Sequence, residues 1–129
     1  MRQEYTLLGW ELPSQNVTMR RHWRVNAKER TKLERWIRST AGLQQPVTAK
    51  RFLHVHSIRT RLIMDDANLR GGAKGLVDAV VASGLIKDDS DDWAKITYSQ
   101  ATKGKKANRC KTLIIVDDKP IDYLHLMPF

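Results

Sequence analysis

The sequence has a single cysteine, Cys110, and no long apolar segment. One cysteine excludes an internal disulfide and a zinc site with several thiolates, which is typical of proteins in a reducing cytoplasm. The longest aliphatic run, from Leu113 to Val116, falls far short of the roughly 20 apolar residues of a spanning helix. The N-terminus has no secretory leader pattern. We therefore expect a cytoplasmic protein without a membrane partner.

The two halves of the chain differ in which acidic residue they lack. Residues 1 to 64 have no Asp and carry thirteen Lys and Arg against four Glu, a net charge of +9. Residues 65 to 129 have no Glu and carry ten Lys and Arg against ten Asp, a net charge of zero. Cations attract a phosphate backbone, and carboxylates hold a divalent metal against a phosphodiester. This segregation indicates a metal-dependent nuclease, with a solubilising acidic turn on a basic domain as the alternative.

The chain of 129 residues, 41% of them hydrophobic, is long enough for one core and predicts a single domain. Hydrophobic periodicity predicts strands at 5–10, 51–64, 94–101 and 112–116, the second of which is one strand or two. One helix is predicted at 27–41, with a capping box formed by Asn26 and Glu29 and an end at Gly42. A second helix is predicted from Ala73 to Gly84.

Three basic segments are candidate DNA contacts. Arg20, Arg21, His22 and Arg24 surround Trp23, a combination that suits phosphate contact with base stacking but also a solvated loop. The helix at 27–41 has a basic face that is either a DNA-facing ridge or a solvated surface. The last two strands would form a hairpin whose loop tracks phosphates or keeps a sheet edge soluble, through Lys103, Lys105 and Lys106.

Two histidines, His54 and His56, fall on the same face of the second predicted strand because side chains alternate along a strand. A His-x-His pair can bind metal, but no third ligand stands at a recognised spacing. A surface or DNA-contact role is therefore favoured over a metal site.

The acidic residues gather between Asp65 and Trp93. Asp65 and Asp66 follow an apolar run, the predicted second helix comes next, and Asp88 and Asp89 follow another apolar pair. Each acidic pair thus follows an apolar segment, and a helix separates the two pairs. A chain that folds back after this helix can bring the two pairs of carboxylates together.

The segment contains, in order, Asp65 with Asn68-Leu69, Lys74, Asp78-Ala79, Gly84 and Asp88-Asp89-Ser90. Nearer the N-terminus the chain contains Leu12-Pro13-Ser14-Gln15-Asn16 and Arg20-Arg21-His22. Together these residues resemble the RusA family of Holliday junction resolvases. The resemblance implies a small α+β domain with a mixed sheet and flanking helices. It also implies a homodimer that cuts four-way DNA junctions in recombination and repair, using magnesium or manganese. The catalytic residues implied are Asp65, Lys74 and Asp89, of which the two aspartates are metal ligands.

One position departs from the family pattern. The family has Asp-x-Asp-Asn, whereas Ala67 precedes Asn68 here, so one of three acidic ligands is missing. Asp66 and Asp88 are the further candidate ligands. On an extended backbone the side chain of Asp66 would point away from that of Asp65, so Asp66 substitutes only if the loop is irregular. Asp88 is either an orienter of Asp89 or a turn residue.

Magnesium needs only one or two protein carboxylates besides substrate phosphate, so reduced activity is the first expectation. A branched-DNA-binding protein that no longer cuts is the alternative.

Overall fold

The strands of the structure are β1 (Gln3–Leu8), β2 (Arg51–Arg59), β3 (Ala94–Thr102) and β4 (Lys111–Asp117). They belong to a computed structural model that describes residues 2–103 and 109–123. The strands form one mixed sheet in the order β1-β4-β2-β3, in which β2 is parallel to β3 and antiparallel to β4, and β4 is antiparallel to β1. The predicted α+β class with a mixed sheet is confirmed.

The predicted hairpin between the last two strands is wrong. β2 lies between β3 and β4, and Val55 has both Tyr98 and Ile114 as Cα partners. Hydrophobic alternation indicates that a segment is a strand, but pairing depends on residues far apart in the chain. β3 and β4 therefore lie on opposite sides of β2. Of the three lysines predicted for this loop, Lys105 and Lys106 lie outside the described residues.

The helices are α1 (Gln15–Arg20), α2 (Trp23–Ala41), α3 (Asp66–Gly72) and α4 (Lys74–Ala82). α2 and α4 pack their apolar stripes on one face of the sheet, and the shared core includes Leu33, Ile37, Leu53, Val55, Leu76, Val80, Ile114 and Val116. Each such side chain contributes about 1.5–3 kcal/mol when fully buried, so this layer holds the helices on the sheet. None of the described helices combines the length and apolar character needed to cross a membrane.

The start of α2 differs from its prediction. The helix begins at Trp23, because His22 serves as its N-cap and accepts a hydrogen bond from the Arg24 amide at 3.2 Å. Asn26 therefore lies inside the helix, where its side-chain Nδ2 donates to the Thr18 carbonyl at 2.8 Å. The segment before it, interpreted as an arm or loop, is largely the helix α1, capped by Ser14. The predicted end of α2 at Gly42, where φ is 73°, is confirmed.

The predicted strand at 51–64 ends at Arg59, and its histidines are not on the surface. His54 and His56 do share one strand face, but they are 0% and 1% exposed. Tyr123, which lies about seventy residues away in the chain, stacks on His54 with ring centroids 4.1 Å apart. Ser99 and Thr97 of β3 bind the ring nitrogens. The sequence pattern shows that two residues share a face but not that a distant segment covers it.

Candidate functional site

Lys74 is the centre of a charged cluster at the start of α4. Its Nζ lies 3.1 Å from Oδ1 of Asp78, one helical turn away, and 3.1 Å from Oδ2 of Asp89, in the connection between α4 and β3. Gly84, at φ 85°, reverses the chain direction after α4. The next two residues, Leu85 and Ile86, are fully buried and hold the reversed segment against the core. The fold thus brings together the two catalytic candidates Lys74 and Asp89, which are fifteen residues apart.

The charges of this cluster stabilise one another. Hydrogen bonds, first with Asp89 and then with Asp78, raise the pKa of Lys74, and the hydrogen bond from Lys74 is the largest cause that lowers the pKa of Asp89. The Lys74 side chain is 66% exposed, and exposed ion pairs of this kind contribute only about 0–1 kcal/mol to stability. These ion pairs therefore contribute little to the stability of the fold.

Asp88 supports the cluster through the backbone. Its Oδ1 accepts a hydrogen bond from the Asp89 amide at 2.9 Å. Asp88 therefore fixes the backbone of its neighbour, and its role as an orienter of a metal ligand stays a prediction.

A tyrosine on β3 joins this cluster to α3. The Arg70 guanidinium lies 5.4 Å from the centroid of the Tyr98 ring, and Arg70 Nε donates to Asp66 Oδ2 at 2.7 Å. The pKa of Tyr98 is raised, chiefly by burial; the charges of Arg70 and Lys74 oppose the rise, and those of Asp89 and Asp66 add to it. Charged groups of both α3 and α4 thus influence the pKa of the same phenol.

Sequence reasoning missed both Tyr98 and Arg70. Tyr98 has the same parity as Ala94 and Ile96 along β3, so alternation alone places it on the core face, below the helices. Arg70 stands four residues after Asp66, a spacing that predicts an ion pair on any helix. The Asp66–Arg70 spacing could not be used without the helix α3, which was not predicted from the sequence.

Asp65 has a different position from the other candidate ligands. It is the N-cap of α3, and its Oδ1 accepts a hydrogen bond from the Ala67 amide at 2.8 Å. Because the helix starts at Asp66, the expectation of an extended backbone from 65 to 68 is wrong. Asp65 lines a cavity of about 470 Å³ together with Asn68 and Arg59, whereas Lys74 and Asp78 line another. Asp66, rather than Asp65, belongs to the surroundings of Tyr98.

Magnesium fits this arrangement by donor chemistry but not as a three-carboxylate site. Among the described residues, no group of three or more His, Cys, Asp or Glu side chains could hold a metal ion. The charges of Asp66 and Asp89 both contribute to the raised pKa of Tyr98, and magnesium prefers carboxylate oxygens and keeps several waters. One or two carboxylates therefore satisfy it when substrate phosphate supplies further oxygens.

The N-terminal candidates for DNA contact have unequal surroundings. Arg20 and Arg24 are exposed, and the Arg24 guanidinium lies 5.4 Å from the centroid of the Trp23 ring. Arg21 is partly buried and bonded to both carboxylate oxygens of Glu29, each at 3.3 Å. His22 is engaged as the cap of α2. Arg20 and Arg24 therefore have the most accessible charges of the four.

Lys103 extends the sheet beyond β3. Its amide donates to the Arg59 carbonyl at 2.7 Å, which continues the pairing of β3 with β2 by one residue. This bond places the start of the basic connection at the end of β2, the same sheet edge from which the chain leaves toward Asp65.

No protein-family model matches this chain, and a search of curated proteins found no significant match.

Proposed function

We propose that this protein is a divalent-metal-dependent endonuclease that cuts branched DNA, with the four-way junction as substrate. The observation that carries the proposal is the placement of Lys74 between Asp78 and Asp89, beside Tyr98 and the pair formed by Asp66 and Arg70. Cations that can bind a phosphate thus stand next to carboxylates that can bind a metal. The resemblance of the motif through Lys74 and Asp89 to junction resolvases supports the choice of substrate.

Asp89 and Asp66 are the residues that would hold magnesium or manganese. When bound between them, such an ion would supply Lewis acidity toward a phosphoryl oxygen and toward water. Asp65 caps α3 in this arrangement, so its carboxylate fixes the first turn of the helix that carries Asp66.

The remaining groups of the cluster act on the phosphate itself. Lys74 offers an ammonium that offsets negative charge developing on the phosphoryl oxygens, and its bonds to Asp78 and Asp89 hold it in place. The raised pKa of Tyr98 keeps its phenol protonated at neutral pH, so the hydroxyl remains a hydrogen-bond donor. Arg70 adds a planar donor that matches phosphate geometry.

A homodimer belongs to the proposal because a four-way junction has two-fold symmetry, and symmetric incision needs two equivalent sites. Each chain carries one cluster around Lys74. The candidate dimer contact is the apolar C-terminus, which lies outside the described residues and contains Leu124, Leu126, Met127 and Phe129. Sedimentation at micromolar concentration that finds only monomer, with or without junction DNA, would contradict this part of the proposal.

The test is cleavage of a labelled four-way junction with added magnesium or manganese. Asp89→Asn should abolish cutting but leave junction binding intact or tighter, because it removes a metal ligand and a negative charge near phosphates. Asp92→Asn is the matched control, since Asp92 is an exposed aspartate close by in the same connection and should leave cutting unchanged.

Two further variants identify the second ligand. Asp66→Asn should lower the cutting rate strongly, because Asp66 is the proposed metal ligand of α3 and its charge reaches the Tyr98 phenol. Ala67→Asp should add little, since position 67 lies on the exposed side of the first turn of α3. If Ala67→Asp raises the rate and Asp66→Asn does nothing, the site follows the family pattern and this assignment of Asp66 is wrong.

A non-catalytic branched-DNA-binding protein is the second candidate. It is favoured by the finding that the described residues include no cluster of three metal-binding side chains. Junction binding without cutting, by the unaltered protein and with either ion, would replace the first proposal with this one.

A further inference from the structure

Each of the two carboxylates proposed to hold the metal is bonded to a cation of its own chain. Arg70 Nε donates to Asp66 Oδ2 at 2.7 Å, within α3. Lys74 Nζ donates to Asp89 Oδ2 at 3.1 Å, from α4 to the connection that follows it. Magnesium and manganese also bind carboxylate oxygens. The two cations and a metal ion therefore draw on the same pair of carboxylates.

The same two cations are the groups proposed to act on the phosphate of the substrate. The side chain of Lys74 is 66% exposed, and that of Arg70 is 59% exposed. Ion pairs between exposed side chains are weak, so another anion can replace the carboxylate. A phosphate is such an anion, since it attracts an ammonium and matches the fork of a guanidinium. Each cation can therefore exchange its carboxylate for a phosphate.

A second contact holds each cation in place when its bond to the carboxylate is lost. Lys74 Nζ also lies 3.1 Å from Oδ1 of Asp78, which is one turn further along α4. The Arg70 guanidinium also lies 5.4 Å from the centroid of the Tyr98 ring, at a distance typical of a cation–π contact. Neither cation therefore leaves this corner of the fold when it exchanges one anion for another.

In the free protein these cations oppose metal binding at Asp66 and Asp89. Each cation bonds one carboxylate oxygen, and each repels a divalent ion with a strength that rises as the distance falls. Among the residues that the structure describes, no third His, Cys, Asp or Glu completes a metal-binding group. No further side chain of that kind in the described part of the chain thus offsets the repulsion.

We infer that Lys74 and Arg70 occupy the proposed metal ligands in the free protein and that a DNA phosphate releases them. The phosphate accepts hydrogen bonds from both cations, so the oxygens of Asp66 and Asp89 become available to the metal. DNA and metal then bind with positive coupling, each raising the affinity for the other by the same factor. The inference rests on the proposed function, because it takes these two aspartates as the metal ligands. It adds an order of binding in which DNA precedes the metal.

The first test measures manganese binding to the full chain without DNA, from the electron paramagnetic resonance signal of the unbound ion. Lys74→Met should bind manganese about threefold to tenfold more tightly than the unaltered protein, because it removes a competing bond and a repelling charge. Arg70→Met should act in the same direction. Lys87→Met is the matched control and should change the affinity by less than about twofold at 0.15 M salt. Lys87 lies two residues before Asp89, but its ammonium lies 4.6 Å from the centroid of the Trp93 ring.

A double variant shows which carboxylate binds the added manganese. Lys74→Met combined with Asp89→Asn should lose the gain of Lys74→Met alone, because Asp89 is the carboxylate that Lys74 releases. Lys74→Met combined with Asp92→Asn should keep the gain, since Asp92 is an exposed aspartate of the same connection. Lys74 is largely exposed, so its replacement leaves the core intact.

The second test measures junction binding in a chelator, so that no metal takes part. Asp89→Asn should tighten binding about threefold to tenfold, because it frees Lys74 for a phosphate and removes a negative charge. In the Lys74→Met background the same substitution should tighten binding less, since only the charge effect remains. The difference between the two backgrounds is the coupling that a double-mutant cycle measures.

The outcomes separate this inference from the proposed function. Unchanged manganese affinity in Lys74→Met or in Arg70→Met overturns the inference, and so does a gain no larger than that of Lys87→Met. Equal tightening of junction binding by Asp89→Asn with and without Lys74 also overturns it. Manganese and junction binding as expected, in a protein that cuts no junction, refutes only the nuclease proposal. Junction cutting by an unaltered protein whose manganese affinity does not respond to Lys74→Met refutes only this inference.

Discussion

At the scale of single residues, His54 and His56 share one hydroxyl group. The Ser99 Oγ lies 2.6 Å from Nε2 of His54 and 2.6 Å from Nδ1 of His56, and Nδ1 of His54 lies 2.7 Å from Thr97 Oγ1. A hydroxyl carries one proton, so Ser99 donates to one ring and accepts from the other. Two neutral imidazoles satisfy this chain of hydrogen bonds. The pair is therefore a structural polar network between β2 and β3.

This network makes stability sensitive to mild acid. Burial, followed by the charge of His56, lowers the pKa of His54 to about 4. Below about pH 6.5, His54 is protonated in the unfolded chain but stays neutral in the folded chain. The free energy of unfolding should therefore fall as the pH drops from 6.5 toward 4. The slope from His54 alone reaches at most about 1.4 kcal/mol per pH unit. Chemical denaturation at a series of pH values measures it.

His54→Asn should flatten this slope although it lowers stability at every pH. The control is His22→Asn, because His22 is exposed and asparagine is a good N-cap for α2. An undiminished slope in His54→Asn would show that the acid sensitivity has another source.

At the scale of elements, α3 lies unusually close to the start of α1. A Cβ atom built on Gly72 would stand 1.8 Å from the Pro13 carbonyl oxygen, and one on Gly71 would stand 2.4 Å from the Gln15 side chain. The first contact is with backbone, which cannot rotate away. The Gly-Gly pair is thus required by helix packing, and the packing orients the face of α3 that carries Asp66 and Arg70.

Two glycine substitutions should have opposite effects on the free energy of unfolding. Gly72→Ala should destabilise the protein by about 1–3 kcal/mol or more, because the added methyl group forces α3 away from Pro13. Gly75→Ala should stabilise it by about 0.5–1 kcal/mol, because Gly75 lies within α4 and its Cβ would meet no atom within 4 Å. Urea denaturation of both variants decides the matter. Equal effects of the two substitutions would mean that α3 does not approach Pro13 this closely.

Most helices and strands, but not α3, could be predicted from the sequence. The apolar stripe through Leu33 and Ile37 and the alternation in β3 and β4 are local signals, and such signals located α2, α4 and four strands with boundary errors of up to about five residues. The helix α3 was not predicted from the sequence, because it has only seven residues and two of them are adjacent glycines, which disfavour a helix. The motif identified Lys74 and Asp89, whereas Tyr98 and Arg70 meet them only through sheet register and helix packing.

At the scale of the whole molecule, the first half of the chain presents most of the positive charge. The exposed cations of α1 and α2 that have no assigned ion pair are Arg20, Arg24, Lys28, Arg30, Lys32 and Arg35. If these six contact phosphates, raising salt from about 50 to 200 mM should weaken junction binding about a thousandfold. A change of less than about tenfold would contradict the assignment of this surface to DNA.

Removal of a single positive charge should measurably reduce the salt dependence of junction binding. Arg24→Ala should make the slope of log affinity against log salt shallower by about 0.9, because one fewer phosphate counterion is released. Thr31→Ala is the control, since Thr31 is exposed on the same helix and uncharged.

The sheet order also constrains when this molecule can fold. β4 follows the other three strands in the chain, yet it lies between β1 and β2 and is the only partner of β1 among the described strands. Until β4 leaves the ribosome, β1 has no neighbour, and α2 and α4 have only the two-stranded β2–β3 ribbon to pack against. Contacts that join such distant segments form slowly. Completion of the sheet therefore waits for β4, and the nascent chain must keep its apolar strands from aggregating until then.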